Sequence, residues 1–411
     1  MNRRVVITGL GLLTPIGNSL SDFWQSMQDN RTGIRRITRF PAAHLRCQVA
    51  AEIDLLGAEE RFTQHRIRRM DRYAQLSVLV AEQAVQHSRL ALSPDAPRSD
   101  AAVSFGTALG GISNAEMEYD RYHADPEHRI SPYLALQVFG GSAHSNIAIE
   151  FGAQGYGTTN SNSCASGTVA LGEGFRLVRE GSAQCVITGA AEAPLCPLTF
   201  SAFDVIKSMS KEQDPDLACR PFDAKRNGFV MGEGAGSLIV EELESAQKRG
   251  APILAEVLGY SLNNDAYHMA HSRDDGACAL RAMAEAVAQA GLKPEQIDYV
   301  NAHGSSTEIN DRNEARAIHQ FFGKHRPAVS ATKGFYGHPL GASGAIEAVL
   351  SVLILQQGWI PPTRGCEANA FPEDIDLVLG SGRKQEVQTI LSNSFGFGGI
   401  NSAIVIGKYR P

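Results

Sequence analysis

Three short stretches of this sequence hold residues capable of covalent and acid–base chemistry. The first is Asn160-Ser161-Asn162-Ser163-Cys164-Ala165-Ser166-Gly167-Thr168, which sets one cysteine among small residues directly ahead of an apolar run, 169–178. Leu171, Phe175 and Val178 recur at helical spacing and Gly181 supplies a stop, so Cys164 is expected at or just before the first turn of a buried helix. Unpaired backbone N–H groups and the positive end of the helix dipole favour thiolate over thiol there, which makes the sulfur a candidate nucleophile. The second and third are Asn301-Ala302-His303-Gly304-Ser305-Ser306-Thr307 and Thr332-Lys333-Gly334-Phe335-Tyr336-Gly337-His338-Pro339-Leu340-Gly341. Each places a histidine in a glycine-bearing loop after an apolar segment. A single buried cysteine is more often structural than reactive, and so is a single histidine. Their occurrence together points to catalysis. A fourth loop, Asn393-Ser394-Phe395-Gly396-Phe397-Gly398-Gly399, offers backbone instead, because glycines beside a reactive group let N–H donors approach a substrate.

The surrounding pattern alternates strands and helices. Strands are expected at 5–9, 101–105, 185–189, 237–240, 253–258, 297–302 and 328–331, and helices at 76–84, 145–151, 279–290, 314–322 and 345–355. Residues 112–135 read as a polar excursion over the surface, and 391–393 with 403–406 as a hairpin. Gly9-Leu10-Gly11 invites a dinucleotide-binding reading, but Thr14 stands where the third glycine belongs and Pro15 follows. The basic run from Arg61 to Arg72 reads either as a solvated helix face or as a surface for an acidic partner.

Gly250-Ala251-Pro252 is the best boundary, giving halves 1–250, with the cysteine, and 251–411, with both histidines. An echo supports two related halves. Ala165-Ser166-Gly167 and Ala342-Ser343-Gly344 open corresponding helices 177 residues apart, and each is followed 14 residues later by a closing glycine, Gly181 or Gly358. Each half is expected to be α/β, with a mostly parallel sheet and a buried central helix.

Composition narrows the class. At 411 residues the chain can bury a large core. A net charge of −6 argues against nucleic acid, and seven cysteines without a CxxC pair fit a reducing cytoplasm. The apolar start at Val5 is broken by Gly9, Gly11 and Pro15, unlike a signal peptide. No apolar segment is expected to reach membrane-spanning length, so the expectation is a cytoplasmic protein with no membrane partner.

The segments around Cys164, His303, Lys333 with His338, and Asn393 to Gly399 resemble, in order and spacing, the active-site blocks of the elongating β-ketoacyl-acyl carrier protein synthases. These are type II condensing enzymes of fatty acid and polyketide synthesis, similar to ketoacyl synthase II, within the thiolase superfamily. The resemblance runs over essentially the whole chain. It implies a thiolase fold, with two similar halves in αβαβα layers, usually as a homodimer, and substrates carried on the phosphopantetheine of acyl carrier protein with no separate cofactor and no metal. It implies that Cys164 holds the acyl chain, that the N–H groups of Cys164 and Phe397 form an oxyanion hole, and that His303 and His338 stabilise the enolate left when malonyl-carrier protein loses carbon dioxide. Lys333 and Glu347 become a supporting pair, Phe397 a mobile gate with Phe395 beside it, and Leu109 a liner of the acyl pocket. Ser305, Thr307, Ala270 and His271 fall where the pantetheine arm is bound. Arg68, Arg69 and Lys207 match the basic patch that meets the carrier protein.

The rivals separate on residues. A biosynthetic thiolase needs a second cysteine in the C-terminal glycine loop, where this chain has Phe395 and Phe397. Initiating ketosynthases and chalcone-type synthases pair cysteine and histidine with asparagine, whereas His338 stands here. A chain-length factor, or a non-catalytic scaffold subunit, would lack the nucleophile. Several positions depart from the common pattern: Ala108 in place of glycine, Ala270-His271 in place of a hydroxyl pair, Tyr336 and Pro339 around the second histidine, and Asn162-Ser163 in place of Thr-Ala. They leave two pathways open, housekeeping fatty acid synthesis or a specialised secondary-metabolite ketosynthase working with a chain-length-factor-like subunit.

Overall fold

The computed structural model describes residues 3–54, 61–125 and 127–411. Its frame is one eleven-stranded sheet. In chain order the strands are β1 (Val5–Leu13), β2 (Ala101–Gly106), β3 (Gly157–Asn160), β4 (Cys185–Glu192), β5 (Gly234–Glu242), β6 (Ala255–Asn264), β7 (Tyr299–Asn301), β8 (Ala328–Ser330), β9 (Asp376–Leu377), β10 (Thr389–Gly396) and β11 (Ile400–Gly407). Their spatial order is β9-β8-β7-β10-β11-β6-β1-β5-β4-β2-β3. Outward from the central β6–β1 pair, the two sides repeat one plan. Setting aside the edge strand β9, the first strand of each half pairs antiparallel with the fifth and the fifth antiparallel with the fourth. The fourth then pairs parallel with the second and the second parallel with the third. The sheet is therefore mixed, and the expectation of mostly parallel pairing is corrected. A tight hairpin, β10–β11, closes the second half, and hairpins impose antiparallel pairing.

The repeat extends to irregularities. β1 and β6 each carry one extra residue, Thr8 and Leu258, just ahead of Gly9 and Gly259. Each glycine lies under a helix: a Cβ on Gly9 would stand 2.1 Å from the Ala84 carbonyl, and one on Gly259 2.1 Å from that of Ala286. Gly9 and Gly11 thus permit close strand–helix packing within β1 and bind no phosphate. Gly9→Ala is expected to cost on the order of 2 kcal/mol through overpacking, read as a lower denaturant midpoint; an unchanged midpoint would contradict this tight contact.

Five helices matter for the layering: α1 (Arg72–Ser88), α2 (Ser166–Arg179), α3 (Ala277–Gln289), α4 (Glu308–Phe322) and α5 (Ser343–Gln357). The central cluster joins Leu171 and Phe175 of α2 and Ile346, Val349 and Leu350 of α5 to Leu238 of the first half and Ile404 of the second. Neighbouring strand residues face the other way: Ile239 packs with α1, and Val405 with α3 and α4. This period-two split, apolar on both faces, is the mark of a sheet covered on both sides. The two halves of the one sheet lie on opposite sides of the paired central helices, so the layers run helix, half-sheet, central helices, half-sheet, helix, as expected of the thiolase arrangement. α2 and α5 meet through their glycines, since a Cβ on Gly344 would stand 2.1 Å from Thr168 Oγ1 and one on Gly167 2.4 Å from the Ala345 nitrogen.

Two further expectations are revised. The stretch Leu340–Gln357 does reach 18 residues at a mean hydropathy of 1.4, but 89% of it is buried inside the protein, as a core helix must be. The excursion 112–135 holds two helices, Ile112–Ala124 and Leu134–Val138. Its polar pattern misleads because it is inverted. Glu116 and Glu118 are buried while Met117, Tyr119 and Tyr122 are exposed. Glu116 accepts hydrogen bonds from the Leu198 and Thr199 N–H groups at the start of the helix Pro197–Val205.

Candidate active site

Cys164 sits in a single 3-10 turn, Ser163–Ala165, that leads into α2. His303 follows β7. His338 lies between the short helix Lys333–Tyr336 and the 3-10 turn Leu340–Ala342 that opens α5. Because α2 and α5 cross at their first turns, the loop before each is brought to one point. Cys164 Sγ is 3.1 Å from His338 Nε2. The rings of His303 and His338 meet edge to face with centroids 5.3 Å apart. His338 Nδ1 is 2.9 Å from Ser343 Oγ, a hydroxyl that can donate or accept and so tolerates either imidazole tautomer.

Behind the two imidazoles, Lys333 and Glu347 are fully buried. The Lys333 ammonium donates to Glu347 Oε1 at 2.6 Å and to the His303 carbonyl at 2.5 Å. The loop carrying His303 is held on its other side by Glu314, whose two oxygens accept from the N–H groups of His303 and Gly304, both at 2.8 Å. Glu192 does the same for the first half. It accepts from Thr107 Oγ1, from the N–H groups of Ala108 and Leu109, and from Gly341 beside His338. Burial pushes both carboxyls up to about 7.

Burial also decides the resting state of the sulfur. The Cys164 thiol is pushed up to about 11 by desolvation, against the smaller opposing pulls of the Ser163 hydroxyl, Lys333 and the Phe397 N–H. The expectation of a helix-stabilised thiolate is corrected, because withdrawal of the sulfur from solvent raises the thiol above its ordinary value. Both imidazoles are held well below the ordinary histidine value, by burial first and the Lys333 charge next, so both are neutral. The resting site is a thiol facing a neutral imidazole nitrogen. Iodoacetamide alkylation of Cys164 should therefore climb about tenfold per pH unit between about pH 7 and 9, because the thiolate fraction keeps growing until about 11. A plateau below about pH 8 would contradict the burial argument.

One cavity of about 480 Å³ reaches Cys164, His303 and His338, and it is also lined by Phe395, Phe397, Ser305, Thr307, Ala270, His271 and Lys207. Phe397 stacks on Phe203, with ring centroids 6.2 Å apart, and Phe203 meets Phe229 edge-on, which in turn meets His338 edge-on. An unbroken row of aromatic rings thus links the glycine loop to the imidazole. Leu109 does not line the cavity; it packs on the apolar cluster that contains Cys164. Arg68 and Arg69 are exposed and unpaired with any carboxylate among the described residues, but they lie off this cavity. Elsewhere in the basic run Arg61 and Arg66 pair with Glu150, and Arg72 with buried Glu233.

Sequence reasoning overlooked Glu192, Glu314, Ser343, Phe203 and Phe229. Glu192 carried a usable signal, a carboxylate ending an otherwise apolar strand. The rest become visible only as contacts.

Residues 2–246 match the family model for the β-ketoacyl synthase N-terminal domain and residues 254–367 that for its C-terminal domain. The 3-oxoacyl-[acyl-carrier-protein] synthase 2 of Synechocystis sp. is 42% identical over 99% of both chains. Among solved structures, the ishigamide ketosynthase/chain length factor superposes with a TM-score of 0.93 at 32% identity, covering all of both chains. A type II polyketide ketosynthase, solved with its acyl carrier protein and bound to the hexaketide, gives 0.89 at 31%, again covering all of both chains. The chain belongs to the β-ketoacyl synthase family.

Proposed function

We propose that Cys164, His303 and His338 carry out a decarboxylative Claisen condensation, joining an acyl chain to malonyl-acyl carrier protein to give β-ketoacyl-acyl carrier protein and carbon dioxide. The observation that supports it most is the 3.1 Å approach of Cys164 Sγ to His338 Nε2 at the foot of a cavity shared with His303. The phosphopantetheine arm enters past Lys207 and His271 and lies against Thr307 and Ser305. His338 Nε2 takes the thiol proton as the sulfur attacks the thioester, whose oxygen is held by the N–H groups of Cys164 and Phe397. The carrier thiolate leaves and regains that proton. Malonyl-carrier protein follows, with Phe397 gating the exchange and Phe395 packed beside it. As its carboxylate leaves, charge gathers on the thioester oxygen, where the imidazole N–H groups of His303 and His338 hold it without a metal, His338 having shifted its proton from Nδ1 to Nε2, a change of tautomer that the Ser343 hydroxyl accommodates. Lys333 and Glu347 keep His303 in place. The carbanion then attacks the acyl-Cys164 carbonyl and the sulfur departs.

Acyl carrier protein is the macromolecular partner, received on Arg68, Arg69 and Lys207, with no further cofactor and with Leu109, packed on the apolar cluster that holds Cys164, bounding the acyl chain beyond the entry cavity. The halves 1–250 and 251–411 act as the structural units, and a second copy or a related ketosynthase-like subunit completes the assembly, in the cytoplasm. Mass spectrometry after incubation with a panel of acyl-carrier proteins tests this. An acyl adduct on Cys164, absent from Cys164→Ala, is expected; no adduct with any carrier, or one on another residue, sinks the reading. The departures at Asn162-Ser163 and Ala270-His271 keep a specialised secondary-metabolite pathway as the second reading beside housekeeping fatty acid synthesis. Full efficiency with a generic carrier and ordinary saturated chains would remove that second reading.

A further inference from the structure

Ser163 has no role in the scheme above, yet its hydroxyl is the side-chain oxygen set beside the nucleophile, 3.8 Å from Cys164 Sγ. Its backbone takes a left-handed φ of 51°, a conformation that residues other than glycine seldom adopt. The turn is held from two directions. Ser166 Oγ donates to the Ser163 carbonyl at 2.7 Å, and the β10–β11 loop presses on it so closely that a Cβ on Gly396 would stand 3.1 Å from both Ser163 Cβ and the Cys164 nitrogen. A serine paying backbone strain at this point, with its hydroxyl directed to the sulfur, is more than a turn former.

We infer that Ser163 is a positioning residue of the acyl-transfer steps, its hydroxyl donating to Sγ whenever negative charge gathers there. The inference rests on the ketosynthase reading. It applies twice in each cycle. On acylation the Sγ–H proton passes to His338 Nε2, the new S–C bond forms as the bond to the carrier sulfur breaks, and the carrier thiolate takes the proton. On condensation the S–C bond breaks and the electron pair returns to Sγ. Both steps load the same sulfur with charge inside a desolvated pocket, where one added donor counts for more than it would in water. The other groups that act on the sulfur are His338 and Lys333 from the second half, the Phe397 N–H from the glycine loop, and Glu192 from β4, whose charge opposes the thiolate. His303 shares the cavity as a neutral ring. The Ser163 hydroxyl draws the sulfur toward thiolate, as Lys333 and the Phe397 N–H also do.

The test compares Ser163→Ala and Ser163→Gly with the wild type, following iodoacetamide modification of the Cys164 peptide against pH and the thermal midpoint of each protein. Loss of the hydroxyl should move the alkylation profile to higher pH by the same amount in both variants, slowing the reaction about threefold at about pH 8, since a rise in thiol pKa is partly offset by greater nucleophilicity. Acylation should show a lower kcat with KM for the acyl-carrier protein unchanged. An unchanged alkylation profile in both variants overturns the inference. So does a change in Ser163→Ala that Ser163→Gly abolishes, because glycine relieves the left-handed backbone while still lacking the donor. If the wild type accepts no acyl group from any carrier, the ketosynthase reading falls, and the alkylation comparison still decides whether the hydroxyl acts on the sulfur.

Discussion

Cys164→Ala should yield no acyl-enzyme and no detectable β-ketoacyl product, a loss of at least about 10⁴-fold in condensation. Decarboxylation of malonyl-carrier protein should persist in the same variant, because the two imidazoles and the Lys333 contact to the His303 carbonyl do not depend on the sulfur. The histidine variants separate the half-reactions further. His303→Ala and His338→Ala should each slow decarboxylation by about 10²- to 10⁴-fold. Only His338→Ala should also slow acylation, since it is His338 Nε2 that faces Sγ at 3.1 Å. Single-turnover acylation and release of labelled carbon dioxide read the two steps independently. Condensation by Cys164→Ala would remove the sulfur from the mechanism, and equal acylation defects in the two histidine variants would remove its assigned base.

Lys333→Met should be the most destabilising of the conservative changes near the site. It strands the Glu347 carboxylate, buried and without its cation, and breaking such a pair costs about 3–5 kcal/mol. The partner change distinguishes charge from shape. Lys333→Met combined with Glu347→Leu removes both ions and should recover most of the thermal midpoint. Decarboxylation should not recover, because the His303 carbonyl has still lost the ammonium that anchors its loop. A double variant no more stable than Lys333→Met alone would mean that the pair holds the core together through packing, not through charge. A double variant with restored decarboxylation would show that Lys333 does not position His303.

Much of the chemistry was legible in the chain itself. The Cys164 turn, the two histidine loops and the glycine hairpin announce themselves by residue type and local spacing, and the paired Ala-Ser-Gly helix starts disclose the internal repeat. Where local pattern reports burial wrongly, the reading goes astray. The helix Ile112–Ala124 turns Glu116 and Glu118 inward and its aromatics outward, so hydrophobic periodicity cannot find it. The mixed strand directions follow from which strands become neighbours, a property of closure that no single segment encodes.

The sequence by itself determined the inventory: one nucleophile-like cysteine, two loop-borne imidazoles, a lysine and a glutamate placed as a supporting pair by family resemblance, and two α/β halves to carry them. Only the tertiary structure decided what that inventory does at rest. Crossing α2 and α5 at their glycines brings sulfur and imidazole within hydrogen-bonding reach, and the same closure strips water from the sulfur. Desolvation is a property of everything packed around an atom, not of its neighbours in the chain. It therefore reversed the thiolate expected from a helix terminus into a thiol that waits for a base.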